Sequence, residues 1–255
     1  MKKFRGIYLK NDNEIGLLRE AGHIVATILE ELRLHVAPGV RTMEFEELAL
    51  AMCERHKVKP AFKGYLGYPY ALCCSVNEEV VHGFPSQRVL VEGDLVSFDM
   101  GVVYKGFYGD SALTVPVGNI DERAGILLDV TRESLFRGID QAVAGNDLYD
   151  ISRAVQKYVE GRGFSVVRRF VGHGIGKQLH EKPEVPNFAP AGANRVSLQP
   201  GMVLAIEPMV TAGGPEVEVL SDKWTAVTKD RSLAAHFEHT VAVTKNGPVI
   251  LSVRD

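Results

Sequence analysis

The sequence predicts a single domain of mixed helices and strands that is built from two similar halves. Apolar residues at helical spacing occur in two consecutive pairs of stripes, and each pair is followed by a glycine, an apolar run of strand length and a carboxylate. The two runs are residues 93–99 (GDLVSFD) and 201–207 (GMVLAIE). We therefore expect halves at about residues 11–115 and 121–251, with the functional site at the seam between them.

The helices of the first half are predicted from their start signals and apolar spacing. Asn11 with Glu14 three positions later forms a capping-box pattern, and an apolar stripe continues at helical spacing to Leu32. Residues 36–39 (VAPG) end this helix, and a second helix is expected from near Thr42.

The second half repeats this order. One apolar stripe runs over residues 126–139, and the next runs over residues 148–159. The segment 143–146 (VAGN) breaks the helical pattern between them. The strand 201–207 then follows, as the strand 93–99 does in the first half.

Composition excludes several classes of protein. The 255 residues carry a formal net charge of −3, which gives no general attraction to nucleic acid or anionic membrane. No apolar run approaches the roughly 18 residues of a spanning helix, and the basic start lacks the apolar segment of a signal peptide. Three cysteines, with Cys73 and Cys74 adjacent, make neither a disulfide framework nor a structural zinc site. We therefore expect a cytoplasmic protein.

A second acid follows each of the two strand-terminal carboxylates. Asp110 comes eleven positions after Asp99, Glu238 follows Glu207, and the glycine-flanked His173 lies between the two pairs. An ionised carboxylate is costly to bury unpaired, so four of them with an imidazole predict a cage for two divalent metal ions. Any one acid taken alone is also compatible with a strand-end residue that faces water.

The turn Tyr104-Lys105-Gly106 decides how Asp99 and Asp110 meet. A two-residue loop at Tyr104-Lys105 would place the acids directly opposite each other, and a loop at Lys105-Gly106 would make them diagonal neighbours on one face. A three-residue loop without a bulge would separate them. Two like charges at about 4 Å repel by roughly 4 kcal/mol at an effective dielectric of about 20, which divalent cations would cancel.

Together with two further histidines, these residues resemble a known motif set. In order and spacing they are similar to the motifs of methionine aminopeptidases of the bacterial type I class, and the likeness runs from about residue 11 to residue 251. It implies the α+β pita-bread fold, whose two pseudo-symmetric halves place antiparallel strands around a central site and helices outside. It also implies removal of the initiator methionine from nascent proteins. The matching residues are His82, Asp99, Asp110, His173, His180, Glu207 and Glu238.

The resemblance also implies the role of each residue. Asp110 and Glu238 would bridge the two ions, and Glu207 would carry a proton from the attacking water to the departing amine. His82 and His180 would contact the substrate, with His180 donating a hydrogen bond to the developing oxyanion. For an isolated histidine beside Glu and Pro, a plain loop position would be the usual interpretation. The implied metal ligands are Asp99, Asp110, His173, Glu207 and Glu238.

The implied cofactors are two divalent cations per chain. An oxygen-rich ligand set favours Mn(II) or Fe(II) and admits Co(II) or Zn(II), and the sequence does not select among them. Two ions about 3.5 to 4 Å apart would activate a water molecule and polarise the scissile carbonyl.

An aromatic segment at residues 62–73 is implied to line the pocket for the methionine side chain. Aromatic faces and a sulfur suit a thioether, although aromatics spaced three apart are more typical of plain packing. Leu66 stands where relatives often carry a polar residue, and His236 replaces a common glutamine, so the pocket rim and the surroundings of Glu238 are expected to differ. The implied lining residues are Phe62, Tyr65, Tyr68, Cys73 and Trp224.

Two alternatives stay open at this stage. An X-Pro aminopeptidase or dipeptidase would keep the same ligands, but it usually carries a large N-terminal domain for which we expect no room here. The stretch between His180 and Glu207 is also too short for the insert of the type II class. A non-catalytic binding protein of this fold would have lost ligands. The expected partner is the N-terminal methionine of nascent chains. We expect a monomer, and a transient ribosome association stays open.

Overall fold

The structure, a computed structural model, describes residues 2–253. Within that range it contains the four helices that the apolar stripes predict. The first begins at its capping box, in which the Asn11 side chain accepts from the Glu14 amide at 3.0 Å and the Asn11 amide donates to the Glu14 carboxylate at 3.0 Å. The helices are α1 (Asp12–Leu34), α2 (Thr42–His56), α3 (Glu122–Ile139) and α4 (Leu148–Glu160).

Helix α3 begins earlier than its apolar stripe. Asp121 caps it by accepting a hydrogen bond from the Ala124 amide at 2.8 Å, and the polar first turn contributes little to the stripe. The apolar stripe therefore located the helix, and the Asp121 cap sets its start one turn before the stripe.

Most strands belong to one curved antiparallel sheet that runs through both halves. The strands are β1 (Lys2–Phe4), β2 (Ile7–Leu9), β3 (Lys59–Pro60), β4 (Leu72–Val76), β5 (Glu79–Val81), β6 (Leu95–Tyr104), β7 (Phe107–Pro116), β8 (Ser165–Val166), β9 (Gly172–Gly174), β10 (Glu181–Val185), β11 (Val203–Ile206), β12 (Met209–Thr211), β13 (Val217–Val219), β14 (Ala226–Thr228), β15 (Ala234–His236), β16 (Glu238–Thr244) and β17 (Gly247–Ile250). The order of strands in the large sheet is β10-β9-β11-β16-β7-β6-β3, with β17 beside β16 and β4 beside β6.

The hairpin of β6 and β7 turns at Lys105-Gly106. Tyr104 pairs with Phe107, and both loop residues have positive φ, 48° and 81°, as a tight two-residue hairpin turn requires. Of the two registers that the sequence left open, the diagonal one is therefore present. One expectation was wrong: Asp99 does not end its strand but lies in the middle of β6, since the chain stays paired with β7 up to Tyr104.

Each half covers the sheet with its own pair of helices. A buried cluster joins α1 and α2 to β4 and β6, with the rings of Phe45 and Phe98 4.7 Å apart, and another joins α3 and α4 to β11 and β16. Strands β7 and β16 pair directly and connect the two halves. This arrangement supports the proposal that the halves correspond. In residues 2–253, no helix combines the length and apolarity needed to cross a membrane.

Candidate active site

One cavity of about 200 Å³ contains the residues that the sequence nominated. We call the four carboxylates and the histidine of its lining the acidic wall, and we call the aromatic residues with a cysteine the aromatic wall. The acidic wall consists of Asp99, Asp110, His173, Glu207 and Glu238. The aromatic wall consists of Phe62, Tyr65, Tyr68, Cys73 and Trp224, and Leu66, His82, Leu179 and His180 complete the lining.

Strand register brings three of the acids around one small residue. Asp99 on β6 and Glu238 on β16 both pair with Ala112 of β7, and Asp110 lies two residues before Ala112 on the same strand. Directly paired residues and residues two apart share a face of the sheet, so the three carboxylates point to the same side. The methyl group of Ala112 leaves the space between them open.

Two glycines allow the histidine strand to fit between its neighbours. Strand β9 lies between β10 and β11, with His173 paired to Ala205. A Cβ at Gly172 would collide with the Ala205 carbonyl oxygen, and a Cβ at Gly174 would collide with that of Lys182. The glycine flanks therefore permit close backbone approach and fix the position of the imidazole.

The His173 ring presents an unprotonated nitrogen to the acids. Its Nδ1 lies 3.0 Å from the Gly174 carbonyl oxygen, which can only accept, so the proton is on Nδ1. Its Nε2 lies 3.6 Å from Glu207 Oε1 and 3.9 Å from Asp110 Oδ2. Burial lowers the His173 pKa to about 3, which keeps the ring neutral. One ligand atom each from Asp110, His173 and Glu238 lies within 4.8 Å of the others.

The four carboxylates are held in an environment that disfavours their charge. Burial raises the pKa of Asp99 to about 7. It raises the pKa of Asp110, Glu207 and Glu238 well above the usual range, and repulsion from the neighbouring acids adds to the effect. Within residues 2–253, one buried oxygen each of Asp99, Asp110 and Glu238 has no hydrogen-bond partner. Such oxygens fit a divalent cation, which would satisfy them and cancel the repulsion.

Backbone contacts from three side chains hold the acid-bearing strands together, and sequence reasoning missed them. The Ser111 hydroxyl donates to the Glu238 carbonyl at 2.7 Å, and the Thr240 hydroxyl donates to the Asp110 carbonyl at 2.8 Å. The Asn187 amide donates to the Glu207 carbonyl at 3.1 Å. The sequence pointed to these contacts in one way only, because Ser111 directly follows Asp110.

His236, expected only as a departure from relatives, lies directly behind Glu207. It is 1% exposed, and its Nε2 is 3.7 Å from Glu207 Oε2. Thr114 fixes its backbone, donating to the His236 carbonyl and accepting from its amide, each at 2.8 Å. Burial lowers the His236 pKa to about 3.

The two candidate substrate histidines border the acids. The His180 ring lies 4.2 Å from that of His173, and its Nδ1 is 2.8 Å from the Tyr65 hydroxyl. His82 contacts Phe170 edge to face at 5.4 Å, a neighbour that sequence reasoning missed. Desolvation lowers the pKa of both histidines, that of His82 to about 4, so both rings are neutral near pH 7.

The two tyrosine hydroxyls of the aromatic wall have hydrogen-bond partners outside it. Tyr68 stacks edge to face on Trp224 at 5.1 Å, and its hydroxyl donates to the carbonyl oxygen of Gly83 at 3.1 Å. Burial raises the pKa of the Cys73 thiol, which therefore stays protonated. Leu66 lies on the rim with 82% of its surface exposed, in a left-handed conformation with φ 49°.

Comparison with known proteins agrees with this geometry. The model of metallopeptidase family M24 matches residues 16–245. Methionine aminopeptidase 1 of Bacillus subtilis is 50% identical over 246 residues, which is 96% of this chain and 99% of that protein. The chain belongs to metallopeptidase family M24.

Solved structures confirm the pita-bread fold of this M24 member. A methionine aminopeptidase from Thermotoga maritima matches with a TM-score of 0.95 at 49% identity, over 97% of this chain and 100% of that chain. A prolidase from Pyrococcus furiosus matches with a TM-score of 0.79 at 21% identity and shares the fold alone. The near full-length relatives at about 50% identity are methionine aminopeptidases, so the X-Pro alternative is not favoured.

Proposed function

We propose that this chain is a methionine aminopeptidase, which uses divalent metal to hydrolyse the bond after the N-terminal methionine of nascent polypeptides. The observation that carries the proposal is one cavity whose lining combines acids that have partnerless buried oxygens with aromatic rings and a thiol. The acids suit a cation, and the rings and the thiol suit an apolar thioether. The near full-length likeness to methionine aminopeptidases supports the same activity.

The acidic wall would hold two divalent cations, with Asp110 and Glu238 between them and Asp99, His173 and Glu207 completing the ligand set. The oxygen-rich set favours Mn(II) or Fe(II) and admits Co(II) or Zn(II). When bound, such ions supply Lewis acidity that lowers the pKa of water and polarises the scissile carbonyl.

Glu207 is suited to move the proton. Its carboxylate lines the cavity beside the other acids, where the attacking water would bind, so it could accept a proton from that water. Releasing that proton to the amine of the departing peptide completes the hydrolysis. Nε2 of His236 lies 3.7 Å from Oε2 of Glu207 and limits how far this carboxylate can rotate.

The neutral histidines would act on the substrate. The Tyr65 hydroxyl can donate to Nδ1 of His180, which would leave the ring proton on Nε2 for donation to the developing oxyanion. His82 borders the aromatic wall beside Trp224, with the two rings 6.2 Å apart, and would hold the peptide at the scissile amide.

Methionine release from short peptides tests this function. The purified chain, freed of metal and titrated with Mn(II), Fe(II), Co(II) and Zn(II), should cleave Met-Ala-Ser and leave an X-Pro peptide intact. Met-Leu-Ser should react far more slowly than Met-Ala-Ser, because a bulky second side chain is rejected by steric clash. Weaker binding alone would not give a large difference in rate, since one methylene in a pocket changes the binding free energy by only about 1 to 3 kcal/mol. Preferred cleavage of the X-Pro peptide, or no cleavage with any metal, would overturn the proposal.

A further inference from the structure

We propose that the buried ion pair of Lys10 and Glu181 positions His180 for the oxyanion step. The inference rests on the function proposed above and adds two residues to which that mechanism gives no part. Lys10 follows β2 near the N-terminus, and Glu181 comes directly after His180 at the start of β10.

The pair is almost completely withdrawn from water. Lys10 Nζ lies 2.7 Å from Glu181 Oε2, and the two side chains are 2% and 4% exposed. A buried ion pair often adds little net stability over well-packed apolar residues, because both charges lose their hydration. Its geometry beside the cavity therefore suggests a role other than stability.

Glu181 uses its second oxygen to close the loop that carries His180. Oε1 accepts from the backbone amide of Lys177 at 2.8 Å and from that of Gln178 at 3.2 Å. A Cβ at Gly176 would lie 2.6 Å from Glu181 Oε1 and 2.6 Å from Lys10 Cε, so only glycine leaves room for the pair. Both ends of this short loop are thus fixed by one carboxylate.

Lys10 connects that carboxylate to the strand that leads to Glu207. The Lys10 amide donates to the Gly201 carbonyl at 2.7 Å, just before β11. The loop is also held from β7, since the Tyr108 amide donates to the Gly176 carbonyl at 2.9 Å. These hydrogen bonds therefore hold the His180 loop in place relative to the strands that carry the acidic wall.

These contacts fix the position of His180. The Tyr65 hydroxyl contacts its ring at 2.8 Å, and the Glu181 carboxylate fixes the backbone of Lys177 and Gln178, which lie three and two residues before it. A shift of about 1 Å in a positioned group costs roughly 10²-fold in rate. The pair acts through His180, so its contribution should disappear when the imidazole is absent.

A double-mutant cycle with His180→Ala tests this role. Lys10→Met and Glu181→Gln are each made in the parent and in the His180→Ala background, and kcat and KM are measured on Met-Ala-Ser with Mn(II). In the parent, each variant should lower kcat by about 10- to 10²-fold with little change in KM and unchanged metal content. In the His180→Ala background the same changes should cost less than about 3-fold.

Two further measurements separate positioning from a general structural role. Amide hydrogen exchange at Lys177 and Gln178 should become faster in Lys10→Met, in metal-free protein as well. The control is Arg137→Met, which breaks an exposed ion pair with Glu133 on α3 and should change neither kcat nor the exchange.

An equal loss of kcat in both backgrounds, loss of metal, or unchanged exchange at the two amides would overturn the role of the pair. If Lys10→Met does not fold, the double-mutant cycle is completed with Glu181→Gln, which keeps the side-chain volume. Failure of the parent to cleave Met-Ala-Ser would instead overturn the proposed function, and the exchange experiment would still test the loop geometry.

Discussion

The two walls of the cavity are built in opposite ways. The acidic wall comes from paired strands and leaves buried oxygens without partners. The aromatic wall comes from a loop with a 3₁₀ turn at Tyr65–Gly67, from Cys73 on β4 and from Trp224. Its rings contact one another, and its tyrosine hydroxyls have partners outside the wall. The acidic wall is therefore incomplete without a cation, and the aromatic wall is already formed for an apolar side chain. Changes to the two walls should have different consequences.

The largest effect is expected from the acids placed between the two proposed ions. Asp110→Asn or Glu238→Gln removes a charged ligand, so at least one ion should bind weakly and activity should fall by about 10³-fold or more. The metal-free variants should melt at higher temperature than the metal-free parent, because one of four repelling charges is gone. Calorimetry for metal binding and a thermal melt check both statements.

A change on the aromatic wall provides the contrast. Trp224→Leu should weaken cleavage of Met-Ala-Ser while metal affinity and the metal-free melting temperature stay near the parent values. Two ions bound at unchanged affinity in Asp110→Asn or in Glu238→Gln would show that these acids do not hold the metal.

The same contrast explains what the sequence could and could not predict. Asp99 and Asp110 were predictable because a carboxylate in an apolar strand is unusual and because period-2 alternation limits the face to which it points. The sequence could not choose between the two hairpin registers. That choice came from Lys105 and Gly106, which both adopt positive φ. The residues after Asp99 (MGVVY) remain apolar, and this was the available sign that the strand continues beyond it.

Contacts made by single polar residues had no signal in the sequence. Lys10 and Glu181 are 171 positions apart, and neither belongs to a periodic pattern. The hydroxyl of Thr240 reaches the Asp110 carbonyl across 130 positions. Such contacts depend on which strands become neighbours, and propensity and spacing do not encode that. The aromatic wall was nominated by family resemblance alone for the same reason.

The next effect in size separates the histidines. His173→Ala should lose metal, since its Nε2 is the neutral nitrogen that faces the acids. His180→Ala and His82→Ala should keep metal and lose about 10²- to 10³-fold in rate, mainly in kcat for His180. Metal content and steady-state kinetics of the three variants are the measurements. A His180→Ala protein that is stripped of metal, or that works at the parent rate, would contradict this division.

The smallest effect is a dependence of metal-free stability on pH, and its sign follows from the raised carboxylate pKa values. The Asp99 pKa moves from about 3.8 to about 7 on folding. The folded state thus binds the Asp99 proton more tightly than the unfolded state does. This contribution to the free energy of unfolding is fully present below about pH 4 and is lost as pH rises through about 7. The pKa values of Asp110, Glu207 and Glu238 shift in the same direction, so these acids add to the loss.

Between pH 7.5 and 8.5 the buried histidines do not obscure this trend. Burial lowers the pKa of His173 and His236 to about 3, so they are neutral in the folded state, and their unfolded forms lose charge near pH 6.5. The metal-free melting temperature should therefore fall across this range, by an amount equivalent to about 1.4 kcal/mol per pH unit for each proton released. Asp110→Asn should flatten the slope, and Trp224→Leu should leave it unchanged. Mn(II) should stabilise the parent more at pH 8.5 than at pH 6.5, because protons compete for the same oxygens. A melting temperature that is flat or rising over this range in the metal-free parent would mean that the acidic wall does not carry the repulsion described here.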